Sequence, residues 1–266
     1  APMQIMGTGH PATSHAHAID YLVVEEDFIG DEKCFSEEMI KLPPDGLPYR
    51  PSASTVAIKP SRLPLKKPEK VEIAVCATTM KLNPQFLSAC ARIVERTKTP
   101  IHFHFLVGQA QGLIYPNVKR VVRMFLGDHA TIYPHQEYKS YMQIIADCDL
   151  FINPFPFGNT NGIIDCITAG LVGICKTGLE IHEHIDEALF NRLGMPDWMI
   201  AKTVDEYVDA VVRLISNHEE RHSLRQLMSG PVKVELFFKG RPELMGQLFM
   251  QRFKDRVKNT KEIEYA

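Results

Sequence analysis

The 266-residue chain has no apolar run of about 18 residues, which argues against a transmembrane helix. It has no excess of basic residues. With 30 Lys and Arg against 32 Asp and Glu the formal charge is −2, so the electrostatic footprint of a nucleic-acid binder is missing. No two of the six cysteines (Cys34, Cys76, Cys90, Cys148, Cys166, Cys175) form a CxxC pair. Four lie in apolar helix or strand patterns, and the set reads as buried free thiols of a reducing cytosol rather than a disulfide framework. There is no GxSxG nucleophile elbow and no GxxxxGK[ST] phosphate loop. The start, "APMQIMGTGHPATSHAHAID", lacks a basic leader and a long apolar segment, so no secretory signal and a cytoplasmic location are expected. The same start reads as a strand entered midway through a domain, which predicts that the chain is the C-terminal part of a longer protein.

Hydrophobic residues make up 45% of the chain, enough for a real core, and the length allows one large domain or two smaller ones. Residues 31–70 are rich in Pro, Lys and Ser, with seven prolines from Pro43 to Pro68. Proline has no N–H to donate and a fixed φ, so this stretch reads as a linker or an extended surface segment. Beyond it, apolar runs alternate with helical patterns. "VEIAVCA", "IHFHFLVG", "ATIYP", "DLFINP" and "VGICK" read as strands. Helices are predicted from Asn83-Pro84, from Pro116, over "HQEYKSYMQIIADC", after "NPFPFGN", over "HEHIDEALFNRLG" with Gly194 as its stop, over "TVDEYVDAVVRLISN", and near 241–258 with Leu244, Leu248, Phe249 and Phe253 inward. Strands alternating with helices of 10–15 residues predict βαβ units and a parallel sheet.

Ligands of open parallel sheets bind beyond the C-terminal strand ends. Three loops belong there: 77–84 ("ATTMKLNP"), 107–112 ("VGQAQG") and 153–162 ("NPFPFGNTNG"). They hold Thr78, Thr79, Lys81, Gln109, Asn159, Thr160 and Asn161, polar residues a core does not need. A helix N-terminus offers unpaired N–H groups and a positive dipole end, which suit an anion. Asp165, one turn after Asn161 on the same face, would repel that anion unless it holds hydroxyls. Phosphate plus sugar hydroxyls describes a nucleotide. Each residue also has a plainer reading: Lys81 as a solvated surface lysine, Thr160, Asn161 and His135 as cap residues, Asp165 as an ordinary first-turn acid.

Two other chemistries find weaker support. The pairs His15/His17 and His182/His184 have a two-residue spacing that suits a strand, and no Cys–His cluster accompanies them, so no metal is expected. "GTGHPA" (7–12) fits GxGxxA, with Glu25 or Glu26 about 20 residues on, the pattern of a dinucleotide fingerprint. "SHAHAIDYL" is too weakly periodic for the helix that an NAD-dependent oxidoreductase would need there.

Several segments in one order resemble a known family. "GHPATSHAHAIDYLVVEEDF", "ATTMKLNP" and "GNTNGIID" resemble the GxPGTSG…MDYxxxD segment, the nucleotide loop and the GHTTGMD motif of the glycosyltransferase family that contains O-GlcNAc transferase. The chain is more similar still to the bacterial cytoplasmic N-glycosyltransferases of the Actinobacillus type, which modify adhesins, and the resemblance covers essentially the whole chain. It departs from GHTTGMD in having Asn-Thr-Asn for His-Thr-Thr and one extra residue before the Asp.

The resemblance implies an α/β fold of GT-B type: a Rossmann-like nucleotide-binding domain with a parallel sheet, plus the tail end of a first Rossmann-like domain. The divisions are 1–70 (end of the first domain and Pro-rich linker), 71–235 (UDP-sugar-binding domain) and 236–266 (a helix crossing back to the first domain). It implies an inverting, metal-independent transfer of glucose or galactose from a UDP-sugar to Asn in Asn-x-Ser/Thr of protein or peptide acceptors, with no cofactor. Neither nucleic acid nor a membrane is implied as a partner. The N-terminal part of the same enzyme would supply the base and most acceptor contacts, with His10 the one candidate on that side here. Carried over by position, Thr78, Lys81, Thr160, Asn161 and Gly162 would surround the diphosphate, with Lys81 as the catalytic cation. Asp165 would bind ribose hydroxyls, His135 would sit by the uracil or ribose, and Gln109 would lie near the sugar. A UDP-binding module without turnover is the alternative from a different class.

Overall fold

The computed structural model describes residues 3–7, 9, 11–51, 67–108, 110–228 and 231–264. Two of the residues singled out above, His10 and Gln109, lie outside them. The chain divides into two compact units. One comprises Ala1–Pro51, Leu179–His182 and Glu235–Ala266, the other Ser52–Gly178 and Glu183–Val234.

In the first unit β1 (Ile5–Gly7), β2 (Tyr21–Glu25) and β3 (Glu38–Leu42) form a parallel three-stranded sheet in that order. The strand β3 lies in the stretch read above as linker. Its burial explains it: Met39, Ile40 and Leu42 are inside, and the prolines start only at Pro43, where the strand has ended. Residues 11–20 contain no helix, so the GxGxxA spelling is not followed by the element that would hold a pyrophosphate. Instead Thr13 and Ser14 donate to the Glu37 carboxylate, fixing the connection between β1 and β2. The last helix, α9 (Glu243–Glu264), places Met245, Leu248 and Phe249 against the Val23, Ile40 and Leu42 core of this sheet. Arg252 and Arg256 pair with Glu38 and Asp20.

The second unit is a six-stranded, all-parallel sheet. Its strands are β4 (Val71–Cys76), β5 (Ile101–Leu106), β6 (Ala130–Tyr133), β7 (Leu150–Ile152), β8 (Gly173–Lys176) and β9 (Ile200–Ala201). The spatial order is β6-β5-β4-β7-β8-β9. Each strand is short, apolar and mostly buried, as a sheet covered on both faces requires. The connecting helices are α1 (Pro84–Arg96), α2 (Ile114–Leu126), α3 (Tyr138–Ala146), α4 (Thr160–Thr168) and α5 (Ile181–Leu193), followed by α6 (Val204–Ser216), α7 (His218–Met228) and α8 (Pro231–Phe238).

Local chemistry sets most helix ends. Asn83 accepts from the Phe86 N–H with Pro84 at the first position of α1, and Thr203 and Glu206 form a reciprocal cap on α6. Gly194 ends α5 at φ +70°. The helix α2 starts at Ile114, two residues before Pro116. A proline fits there because the first-turn N–H groups have no helical partner to lose. His182 and His184 lie on α5, not on a strand.

Candidate functional site

The strand order runs outward from β4 in one direction and from β7 in the other. That reversal creates a crevice at the C-terminal ends of β4 and β7, the place where open α/β sheets take ligands. The two segments that flank the crevice are the ones singled out from sequence. After β4 come Thr78 and a tight turn over Thr79–Lys81; after β7 come residues 153–159 and α4. They meet directly: Lys81 Nζ donates to the Gly158 carbonyl at 2.5 Å and lies 4.7 Å from the Phe157 ring centroid. Asn83 Nδ2 ties the same loop to the Phe155 carbonyl at 2.6 Å. Burial lowers the Lys81 pKa, and the negative charge of Asp186 opposes that.

At the start of α4 the cap position is Asn159, not Thr160 or Asn161, and its side chain makes no cap hydrogen bond. Thr160 is half-buried, Asn161 exposed and Gly162 buried. A Cβ at Gly162 would come within 2.1 Å of Asn159 Nδ2, so glycine lets the cap residue lie flat on the helix. Because the Asn159 side chain does not cap the first-turn N–H groups, the positive end of α4 is left to other partners close to Lys81.

A second pocket element lies at the ends of β5 and β6. A cavity of about 300 Å³ is lined by Leu106, Gly108, Pro134, His135, Glu137, Tyr138 and their neighbours. His135 belongs to the loop before α3, which begins at Tyr138; it is not a cap. Its Nδ1 donates to the Gly108 carbonyl at 3.0 Å, bridging the two loops. Tyr138 and Tyr141 stack at 6.1 Å and both reach Asp165, with Tyr138 donating to Oδ1 at 3.0 Å. Burial raises the Asp165 pKa, and these hydroxyls oppose the rise. The cavity is thus lined by His135, and Asp165 is tied to its wall through the Tyr138 hydroxyl. Lys81, Thr78 and the α4 start lie at the adjoining crevice.

Sequence reasoning missed three groups. Tyr138 was read only as part of an amphipathic helix. Gly158 supplies the carbonyl for Lys81. Asp186 lies under the loop, fully buried, where its two oxygens accept from Asn159 N–H at 2.8 and 3.1 Å and Oδ2 accepts from Asn153 Nδ2 at 2.9 Å. The signal was present: Asp186 shares an α5 face with Leu189, Phe190 and Leu193, and a carboxylate on a core stripe is informative.

Two metal spellings also occur. Asp147-Cys148-Asp149 reads DxD, but it precedes β7, at the strand end opposite the crevice, and Asp149 accepts from the Glu72 N–H. His218-Glu219-Glu220-Arg221-His222 on α7 reads HExxH. There the buried Arg221 donates to His218, and Glu220 pairs with Arg213. Among the described residues no group of three or more His, Cys, Asp or Glu is placed to hold a metal ion.

No family model matches the chain. UDP-glucose:protein N-β-glucosyltransferases of Actinobacillus pleuropneumoniae serotypes 5b and 7 are 51% identical to it over 258 residues, 97% of this chain. The matched segment is a C-terminal part of those two glucosyltransferases. It spans 42% of the length of those two relatives. The tomato protein described as probable UDP-N-acetylglucosamine–peptide N-acetylglucosaminyltransferase SPINDLY is 24% identical over 86% of the chain, which covers 25% of that relative. A point mutant of Thermobaculum terrenum O-GlcNAc transferase superposes over 98% of this chain and 50% of its own with TM-score 0.73 at 14% identity. The fold is thus of the GT-B type. Among the described residues no helix is long and apolar enough to cross a membrane.

Proposed function

We propose that the chain carries the UDP-sugar-binding half of an inverting, metal-independent transferase. It would move glucose, or galactose, from a UDP-sugar to Asn in Asn-x-Ser/Thr of protein acceptors. The observation that supports this reading most is the Lys81–Gly158 contact across the β4/β7 crevice, with the open start of α4 beside it. That pair is suited to a diphosphate. The pocket at His135, with Asp165 reached through Tyr138, is suited to a nucleoside. The names of the relatives supply the nucleotide sugar and the protein acceptor.

In this reading the acceptor amide nitrogen attacks the anomeric carbon opposite the leaving group. The carbon–oxygen bond to the diphosphate breaks, and its electron pair stays on UDP. Lys81 and the first-turn N–H groups of α4 stabilise that growing charge, with Thr78, Thr160, Asn161 and Gly162 around it. One such group is worth about 3 kcal/mol in the barrier. Asp165 accepts from the ribose hydroxyls. The base and the acceptor contacts belong to the N-terminal part of the enzyme.

Calorimetry of UDP binding with EDTA present tests this reading. Saturable binding in EDTA is the expected result, and complete loss on chelation would sink it. Because the chain spans less than half of its relatives, the same geometry also serves a UDP-binding module without turnover. Transfer of glucose to an Asn-x-Thr peptide by the enzyme, abolished with Lys81→Ala, separates the two.

A further inference from the structure

The loop that carries the diphosphate subsite rests on a buried acid. Gly158 lies so close that a Cβ there would sit 2.4 Å from the Asp186 carboxyl carbon. The Asn159 N–H and the Asn153 amide both point down to the carboxylate, and the Asn153 carbonyl is fixed in turn by the Tyr207 hydroxyl at 2.8 Å. The groups facing Asp186 come from three elements: Lys81 from the turn after β4, Cys175 from β8 and Tyr207 from α6. Burial keeps the thiol and the phenol protonated, so Lys81 is the charged group among them.

We propose, on the basis of the UDP-sugar reading, that Asp186 is a positioning residue that shares Lys81 with the ligand. Its carboxylate holds residues 158–159 in place in the empty site. When a nucleoside-diphosphate sugar draws Lys81 from Gly158 onto its phosphates, Asp186 holds its proton more tightly and draws protons from solvent.

The physical reason is that one cation cannot balance two anions in a dry pocket. A buried carboxylate that loses its counter-charge, with a new negative charge nearby, neutralises. Asp186 is already poised for this: burial pushes its pKa up to about 7, against the pull of the Asn159 N–H and Lys81. The neutral form has a place for its proton. Asn153 Oδ1 is buried with no hydrogen-bond partner, and turning that amide presents it to the protonated oxygen while the other oxygen keeps the Asn159 N–H.

UDP-glucose is the probe, because its diphosphate carries no terminal phosphate that titrates near neutrality. Calorimetry near neutral pH in buffers of different protonation heat should show net proton uptake. The affinity should fall by about tenfold as the pH rises past 7, the loss for one pKa unit of coupling. In Asp186→Asn, which keeps the shape and an acceptor for Asn159, uptake should vanish and the affinity should no longer vary with pH. Binding without uptake in the parent, or uptake that survives in Asp186→Asn, overturns the inference and leaves the UDP-sugar reading standing. No binding at all overturns both. Should the variant fail to fold, carboxyl-carbon NMR shifts of labelled aspartates in the parent decide. The Asp186 midpoint must rise on saturation with UDP-glucose, and an unmoved midpoint refutes the proposal.

Discussion

Asn161 and Asp165 share one helix face, and the proposed function gives them different work. Asn161 is exposed, and Asn159, not Asn161, occupies the cap position of α4. Asn161→Ala should therefore leave α4 intact while removing an amide from the diphosphate side. Asp165 sits one turn deeper, half-buried, accepting from Tyr138 at 3.0 Å and from Tyr141. Asp165→Asn keeps its shape and one acceptor oxygen but removes the charge that ribose hydroxyls would bind. Hydrogen bonds to a charged group are worth about 1.5–3 kcal/mol, so Asp165→Asn should weaken uridine and UDP alike by roughly 10- to 150-fold. Asn161→Ala should weaken UDP and leave uridine almost unchanged. Calorimetric titration of both ligands into both variants, with circular dichroism to confirm folding, gives the four values needed. If Asp165→Asn binds uridine like the parent, or if either change unfolds the chain, these are structural helix residues and the nucleotide lies elsewhere.

Other perturbations test neighbouring parts. Lys81→Ala should cut UDP affinity, spare uridine, and lower turnover of the enzyme by about 100-fold or more; an equal loss for both ligands would place Lys81 outside the diphosphate subsite. Asp186 titrates near 3.8 when unfolded and at about 7 when folded. Between those values the folded state binds more protons, so its stability falls as pH rises from about 4 to about 7. Relative to Asp186→Asn the loss should be on the order of 3–4 kcal/mol in urea titrations, and parallel pH profiles would refute the assigned acidity. Gly158→Ala forces a methyl against the Asp186 carboxylate, and should cost about 1–3 kcal/mol in chemical denaturation while weakening UDP; a neutral result would mean the loop is free to move.

Much of the fold was legible because parallel strands and their helices carry opposite periodicities. "VEIAVC" and "IHFHFL" are short apolar runs, α6 is a clean stripe, and Asn83-Pro84 and Gly194 punctuate α1 and α5. The β3 strand was not legible because proline content was averaged over 31–70, while β3 ends just before the first proline. The helices α7 and α8 and the two-residue β9 escaped because their patterns are short or polar.

For the site, sequence order alone put Lys81 and residues 158–165 at the ends of their strands. The 3-2-1-4-5-6 type order that makes β4 and β7 neighbours needs the structure. The Tyr138–Asp165 and Asn159–Asp186 bonds span 27 residues each, and nothing local in the sequence announces either.

The central claim, that a UDP-sugar lies with its base at the β5/β6 loops and its diphosphate at the start of α4, is tested most directly by photolabelling. UDP-glucose bearing a photoreactive group on the uracil is bound, irradiated and mapped by peptide mass spectrometry. The account predicts label within residues 134–141, competed by UDP and reduced by Asp165→Asn. Label confined to other segments, or labelling indifferent to competing UDP, contradicts it.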